Sequence, residues 1–246
     1  MAVRSPLTGS LILKGITLDI APGQIVQIAG MTGRGKTVLA ESIMGLWRLL
    51  GGTILVNGLH LAQLSRADTE RLCGYVPESP GFIAGTLAEN ISHLDPEANP
   101  DRVAAAARKA CLHAMISSLP EGYQTLMDPA GSTLSRGQRY QLALARAVYQ
   151  MPKLLIIDEP DPILLDLIPK TMEKTLGQLT EKGGSVLILA RKRLAIKQIS
   201  ESYQIDGGRL TPFKIGATGA APTTKITVLG ETMPKSRAGT DEPVTT

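Results

Sequence analysis

Two hydrophobic periods alternate along this chain. QIVQIA (24–29) reads as a strand, and apolar runs of strand length occur at KLLIID (153–158) and SVLILA (185–190). Runs of this kind are buried on both faces of a parallel sheet. Apolar residues at helical spacing mark 36–47, 101–119, 134–150 and a segment near 166–182. LILKGITLDI (11–20), GGTILVNG (51–58) and the stub YVP (75–77) read as further strands between turn residues. Strands alternating with helices predict an α/β fold. From about Gly216 the chain is rich in Gly, Pro and Thr. Residues 216–246 are therefore expected to form a disordered tail, or else a partner-docking peptide.

Composition narrows the class. At 246 residues with 43% apolar content, the chain can bury a sizeable core. Aromatics are only 3%, so that core must be aliphatic. The net charge of +4 is mild and the basic residues are scattered, which argues against nucleic acid as a partner. Cys73 and Cys111 lack metal-ligand spacing and are expected as free thiols in a reducing cytosol. No apolar run approaches the ~20 residues of a membrane helix. The N-terminus lacks the apolar stretch of a signal peptide. A cytoplasmic chain follows, with any membrane role supplied by a partner. His60, His93 and His113 show no ligand pattern.

The strongest local signal is GMTGRGKT (30–37), which fits G-x-x-x-x-G-K-[ST] between a strand and a helix. Gly30, Gly33 and Gly35 let the backbone curl so that its N–H groups face one concavity. Residues Gly30, Met31, Thr32, Gly33, Arg34, Gly35, Lys36, Thr37 and Val38 are the expected phosphate cradle, at the positive end of a helix dipole. Lys36 is expected to bridge β- and γ-phosphates, and the Thr37 hydroxyl to ligate Mg²⁺. The run LLIIDEPD (154–161) ends on paired carboxylates, which are costly there without a cation. Asp158 is expected to hold the magnesium ion, and Glu159 to act as general base on the attacking water.

STLSRGQRYQLALARAVYQMPKLLIIDEP (132–160) resembles the ATP-binding cassette family, with Leu134, Ser135, Arg136, Gly137 and Gln138 as its LSGGQ-type signature. The resemblance covers roughly residues 10–210. It implies a P-loop NTPase core, a small N-terminal antiparallel β part and an inserted helical subdomain at about 82–150, within one domain of 1–215. It also implies that Ser135, Gly137 and Gln138 bind the γ-phosphate of ATP held by an opposing subunit, so that two chains sandwich nucleotide. GTLAENISHLDPEANPDRVAAAARKACLHAMISSLPEGYQTLMDPAGSTLSRGQ (85–138) resembles exporters, most of all type I protein-secretion ATPases. The implied cofactors are ATP and Mg²⁺. The implied partners are a transmembrane exporter domain or subunit and a second nucleotide-binding domain, in a homo- or heterodimer at the cytoplasmic side of the membrane. Met1 lies a few residues before the first strand, which leaves open an excised domain or a separate subunit.

Several positions depart from the family. Glu78 stands where a magnesium-contacting glutamine is usual, and Arg191 where a histidine holds the γ-phosphate. DPILLD (161–166) is one residue longer than the usual loop, which puts the cross-dimer role of Asp166 in doubt. Residues 5–12 offer no aromatic to stack on adenine. A lost base stack costs about 1–3 kcal/mol, so weak or base-tolerant binding is expected. Glu78 and Arg191 suggest one coupled exchange: opposite charges ~4 Å apart gain about 4 kcal/mol at an effective dielectric of 20 before desolvation. Arg191 would then resemble an arginine finger; the alternative is drift after loss of hydrolysis. Lys192 and Arg193 beside it read equally as a solvated helix start. The expected function is an ATP hydrolase powering an exporter with slow turnover. The alternative is a non-hydrolysing, nucleotide-gated subunit of a heterodimeric transporter.

Overall fold

The computed structural model describes residues 1–160, 169–194, 196–213 and 226–229. In chain order the elements are β1 (Ala2–Arg4), β2 (Leu11–Leu13), β3 (Asp19–Ile20), β4 (Ile25–Ala29), α1 (Lys36–Ile43), β5 (Leu49–Gly51), β6 (Thr53–Val56), β7 (Leu59–His60), α2 (Arg66–Leu72) and β8 (Cys73–Val76). There follow β9 (Gly85–Thr86), α3 (Leu87–Ser92), α4 (Pro100–Lys109), α5 (His113–Ser118), β10 (Leu126–Met127), α6 (Arg136–Val148), β11 (Leu154–Asp158), α7 (Pro169–Glu181), β12 (Ser185–Ala190), β13 (Ile199–Asp206), β14 (Arg209–Phe213) and β15 (Ile226–Leu229).

The main sheet runs β14-β13-β4-β12-β11-β8, parallel throughout except for the antiparallel edge strand β14. Its three apolar central strands are those read from the sequence. Successive side chains point to opposite faces, so each strand feeds two cores. Ile25, Leu155, Ile157, Val186 and Ile188 pack with α6 and the helices near it. Val26, Ile28, Leu154, Ile156, Leu187 and Leu189 pack with α1 and the N-terminal β part. That part is antiparallel, in the orders β2-β1-β5 and β3-β15-β6-β7. The fold is thus α/β with a P-loop-type sheet, as expected.

Several boundaries differ from the sequence reading. The run at 11–20 is two strands, separated around Gly15, whose φ is 65°. The run at 101–119 is two helices, because Cys111 takes a left-handed φ of 55° that a continuous helix forbids. The segment at 51–58 splits after Gly51, and helix α1 stops at Ile43 ahead of Gly45, which has φ 76°. The expectation of disorder over 216–246 needs one correction: Ile226–Leu229 forms a strand between β3 and β6. Its sequence, ITVL, carries the β-branched residues that favour an extended chain. The rest of that tail, and the loop 161–166 with Asp166, lie outside the described residues.

Candidate functional site

The parallel register brings the expected site together. Asp158 pairs with Leu189, and Ala190 pairs with Ala29, so β11, β12 and β4 end at one level. The Gly30 N–H donates to the Ala190 carbonyl and the Glu159 N–H to the Leu189 carbonyl. The loop after β4, Glu159 after β11, Arg191 after β12 and Glu78 after β8 therefore share the carboxyl edge of the sheet, where α/β folds bind ligands.

The glycines of the loop have specific jobs. A Cβ on Gly30 would lie 2.6–2.7 Å from the Ile205 side chain and carbonyl, so β13 passes too close for any other residue. Gly35 caps α1 with φ 97°, a left-handed conformation. A Cβ there would also meet Leu13 at 2.9 Å. Lys36 follows as the first helical residue and folds back over the loop. Its Nζ donates to the carbonyls of Gly30 and Met31, the latter at 3.0 Å. The Met31 side chain is exposed, Val38 packs on the core, and Arg34 pairs with Asp206 at 3.2 Å.

Four charges of alternating sign follow one another outward from this loop. Lys36 Nζ lies 3.0 Å from Glu159 Oε1. Glu159 Oε2 lies 3.6 Å from Arg191 Nε, and Arg191 Nη2 lies 2.8 Å from Glu78 Oε1. Lys36 and Glu159 are 4% and 12% exposed, whereas Arg191 and Glu78 are 60% and 48% exposed. Glu159 also sits at φ 49°, a strained conformation for a residue with a Cβ and one that recurs at functional sites. The expected partnership of Glu78 and Arg191 is thus present as an ion pair. Its strength needs correcting: solvent screening reduces a pair this exposed to about 0–1 kcal/mol.

Asp158 lies behind this chain of charges and is buried. The Tyr75 hydroxyl donates to its Oδ2 at 3.3 Å. Its Oδ1 has no hydrogen-bond partner. Burial pushes its carboxyl above the ordinary aspartate range, only partly offset by the Thr37 and Tyr75 hydroxyls. Burial and the nearby Asp158 raise the Tyr75 phenol in turn, so it stays a donor. An orphaned anionic oxygen beside a Thr hydroxyl and a phosphate-type loop is a donor set that fits a hard divalent cation. Thr37 and Asp158 would hold Mg²⁺ here; Glu78, the third expected ligand, pairs with Arg191 at 2.8 Å.

Ser135, Gly137 and Gln138 lie at the start of α6. Ser135 Oγ accepts from the Gln138 N–H at 3.2 Å, and Gln138 Oε1 accepts from the Ser135 N–H at 2.8 Å. This capping box fixes the helix start. Cys73 and Cys111 are free, and burial pushes the Cys73 thiol up to about 12, so it is inert.

Two positioning residues escaped the sequence reading. Gln27, fully buried in β4, donates to the Lys192 carbonyl at 3.0 Å and accepts from the Leu194 N–H at 3.3 Å. It thereby ties down the turn that carries Arg191. The signal was a single amide inside an apolar run. Tyr75 was visible only as part of a strand stub.

Among curated relatives, the type I secretion system ATP-binding protein PrsD of Rhizobium meliloti (strain 1021) is 30% identical over 213 residues, 87% of this chain and 37% of that protein. A fatty acid ABC transporter ATP-binding/permease protein of Mycobacterium tuberculosis (strain CDC 1551 / Oshkosh) is 37% identical over 185 residues, 75% of this chain and 29% of that protein. Among solved structures, a bacterial Atm1-family ABC exporter with ATP bound superposes with a TM-score of 0.73 at 26% identity, covering 85% of this chain and 36% of that one. The chain thus spans little more than a third, or less, of these relatives. The family model for ABC transporters matches residues 13–161, a span that holds the phosphate loop, the helix-start serine and both acids. The chain belongs to the ABC transporter family.

Proposed function

We propose that this chain binds Mg-ATP at the carboxyl edge of its main sheet, closes on a second nucleotide-binding domain, and hydrolyses ATP to drive an exporter through a membrane partner. The observation that carries this reading is the orphaned Asp158 Oδ1 beside the Thr37 hydroxyl, with Lys36 and Glu159 3.0 Å apart on the same edge. Loop N–H groups and Lys36 bind and orient the phosphates. Glu159 accepts the proton of the attacking water. Magnesium, when bound, would neutralise developing charge on the phosphoryl oxygens. The Ser135 end of α6 would supply N–H donors to nucleotide on the opposing domain.

No described helix is long and apolar enough to cross a membrane. A membrane partner needs a docking surface, and a groove of about 960 Å³ lined by Trp47, Leu49, His60, Arg66, Glu70 and Arg146 offers one. The test is single-turnover ATP hydrolysis by the purified chain and by Glu159→Gln. Hydrolysis lost in the variant supports the reading. Equal, background-level rates favour the second reading, a non-hydrolysing, nucleotide-gated subunit. That second reading draws support from the engagement of both Glu159 oxygens by cations.

A further inference from the structure

We propose that the slot between β3 and β6 is a strand-acceptor site. It takes an extended segment with β-branched apolar residues at alternate positions, and its ligand is Ile226–Leu229 of the same chain. The small sheet exists only through that segment. Among the described residues, β3 has no other strand neighbour, and β6 has only β7 on its other side. Without β15, β3 would be an isolated strand of two residues. The edge of β6 would then present unpaired N–H and C=O groups, a template for strand addition. β15 runs antiparallel to both neighbours, its first half paired with β3 and its second half with β6.

The register suits this sequence. Ile226 stands opposite Ile20 and Val228 opposite Ile54, and both partners are buried in the core that also holds Val26 and Ile28 of β4. Thr227 stands opposite the exposed Asp19, and Leu229 opposite the half-buried Thr53. The β-branched apolar residues thus take the core register, and a slip of one residue would exchange the two sets. Each side of the ladder is only two pairs long, so the segment is a weak ligand kept in place by its tether. Residues 214–225 connect it to β14, and a tether of this length gives a local concentration on the order of mM. A free peptide of the same sequence can therefore compete only at a similar concentration. The turn after β3 has its own anchor, because Ser185 Oγ donates to the Ala21 carbonyl at 2.9 Å. β4 and the loop that follows it keep their place when the slot empties, so the inference stands apart from the nucleotide site.

The test is amide hydrogen exchange in the full chain, read segment by segment. In the unaltered chain, residues 226–229 are expected to exchange about tenfold or more slowly than an unstructured chain. The double variant Thr227→Pro/Val228→Pro loses two ladder donors. It should exchange about tenfold faster at 19–20 and 53–54, while β4, β11 and β12 stay protected. A synthetic peptide of residues 224–231, at about 1 mM, should restore protection to the variant and leave the unaltered chain as it is. A scrambled peptide should do neither. Sedimentation velocity without nucleotide should show a monomer for both proteins. Unstructured-chain rates at 226–229, a result that needs no variant, would overturn the site. So would unchanged rates at 19–20 and 53–54 in the variant. Failure of the peptide to restore protection would overturn the slot as an acceptor. An unaltered chain that sediments as a dimer, beside a monomeric variant, would overturn the assignment to the same chain and give the strand to a second copy.

Discussion

Arg191 and Glu78 meet at 2.8 Å across the end of the strand that carries Asp158 and Glu159. The contact joins residues of opposite charge 113 positions apart. The geometry places this cation and anion in direct contact at the carboxyl edge of the sheet.

Glu159 is expected to be the proton acceptor. Glu159→Gln should lower single-turnover hydrolysis by about 10²–10⁴, the usual worth of a general base. The same variant should accumulate a dimer with Mg-ATP in sedimentation velocity and stay monomeric without nucleotide. A hydrolysing Glu159→Gln variant would remove the base assignment.

Asp158 gives a pH signature. Its folded carboxyl is raised by burial, so the folded state favours the protonated form. Stability from this group is present at low pH and is lost as pH rises through the raised value. Asp158→Asn should therefore stabilise the metal-free chain at pH 7, because it removes a buried charge while keeping an oxygen for the neighbouring hydroxyls. Magnesium competes with that proton, so its affinity should fall with decreasing pH, beginning above the ordinary aspartate range, by about tenfold per pH unit. Titrations of magnesium between pH 4 and 8 check both signs.

Gln27→Leu should cost about 1–3 kcal/mol in urea unfolding, because it strands the Lys192 carbonyl and Leu194 N–H. Gly30→Ala should cost a similar amount, since its Cβ would press on Ile205 at 2.6–2.7 Å. A Gly30→Ala protein as stable as the parent would contradict the close approach of β13.

Base selectivity should be low. The turn near residues 5–8 carries Leu7, 94% exposed, and no aromatic. ATP and GTP are expected to compete within about fivefold, since loss of a stack worth about 1–3 kcal/mol removes the usual source of preference. A hundredfold preference for adenine in a competition assay would show that another group reads the base.

The legible features were those fixed by local chemistry. Apolar strand runs, the glycine loop and the Ser135 cap each dictate their own geometry, and β4, β11, β12 and α6 fall where their residues predict. Less legible was anything decided by a distant partner. Cys111 breaks a helix that its neighbours' spacing favours. Gln27 matters only because the turn after β12 lies against it. The strength of the Glu78–Arg191 pair depends on exposure, which no sequence spacing encodes.

The most direct measurement is calorimetric titration of the unaltered chain with ATP, with and without magnesium, beside Lys36→Ala. The expected result is saturable, magnesium-dependent uptake that the Lys36 substitution weakens at least tenfold, the scale of one charge-assisted contact. Absence of uptake, or uptake indifferent to both magnesium and Lys36, would contradict a nucleotide site at this edge of the sheet.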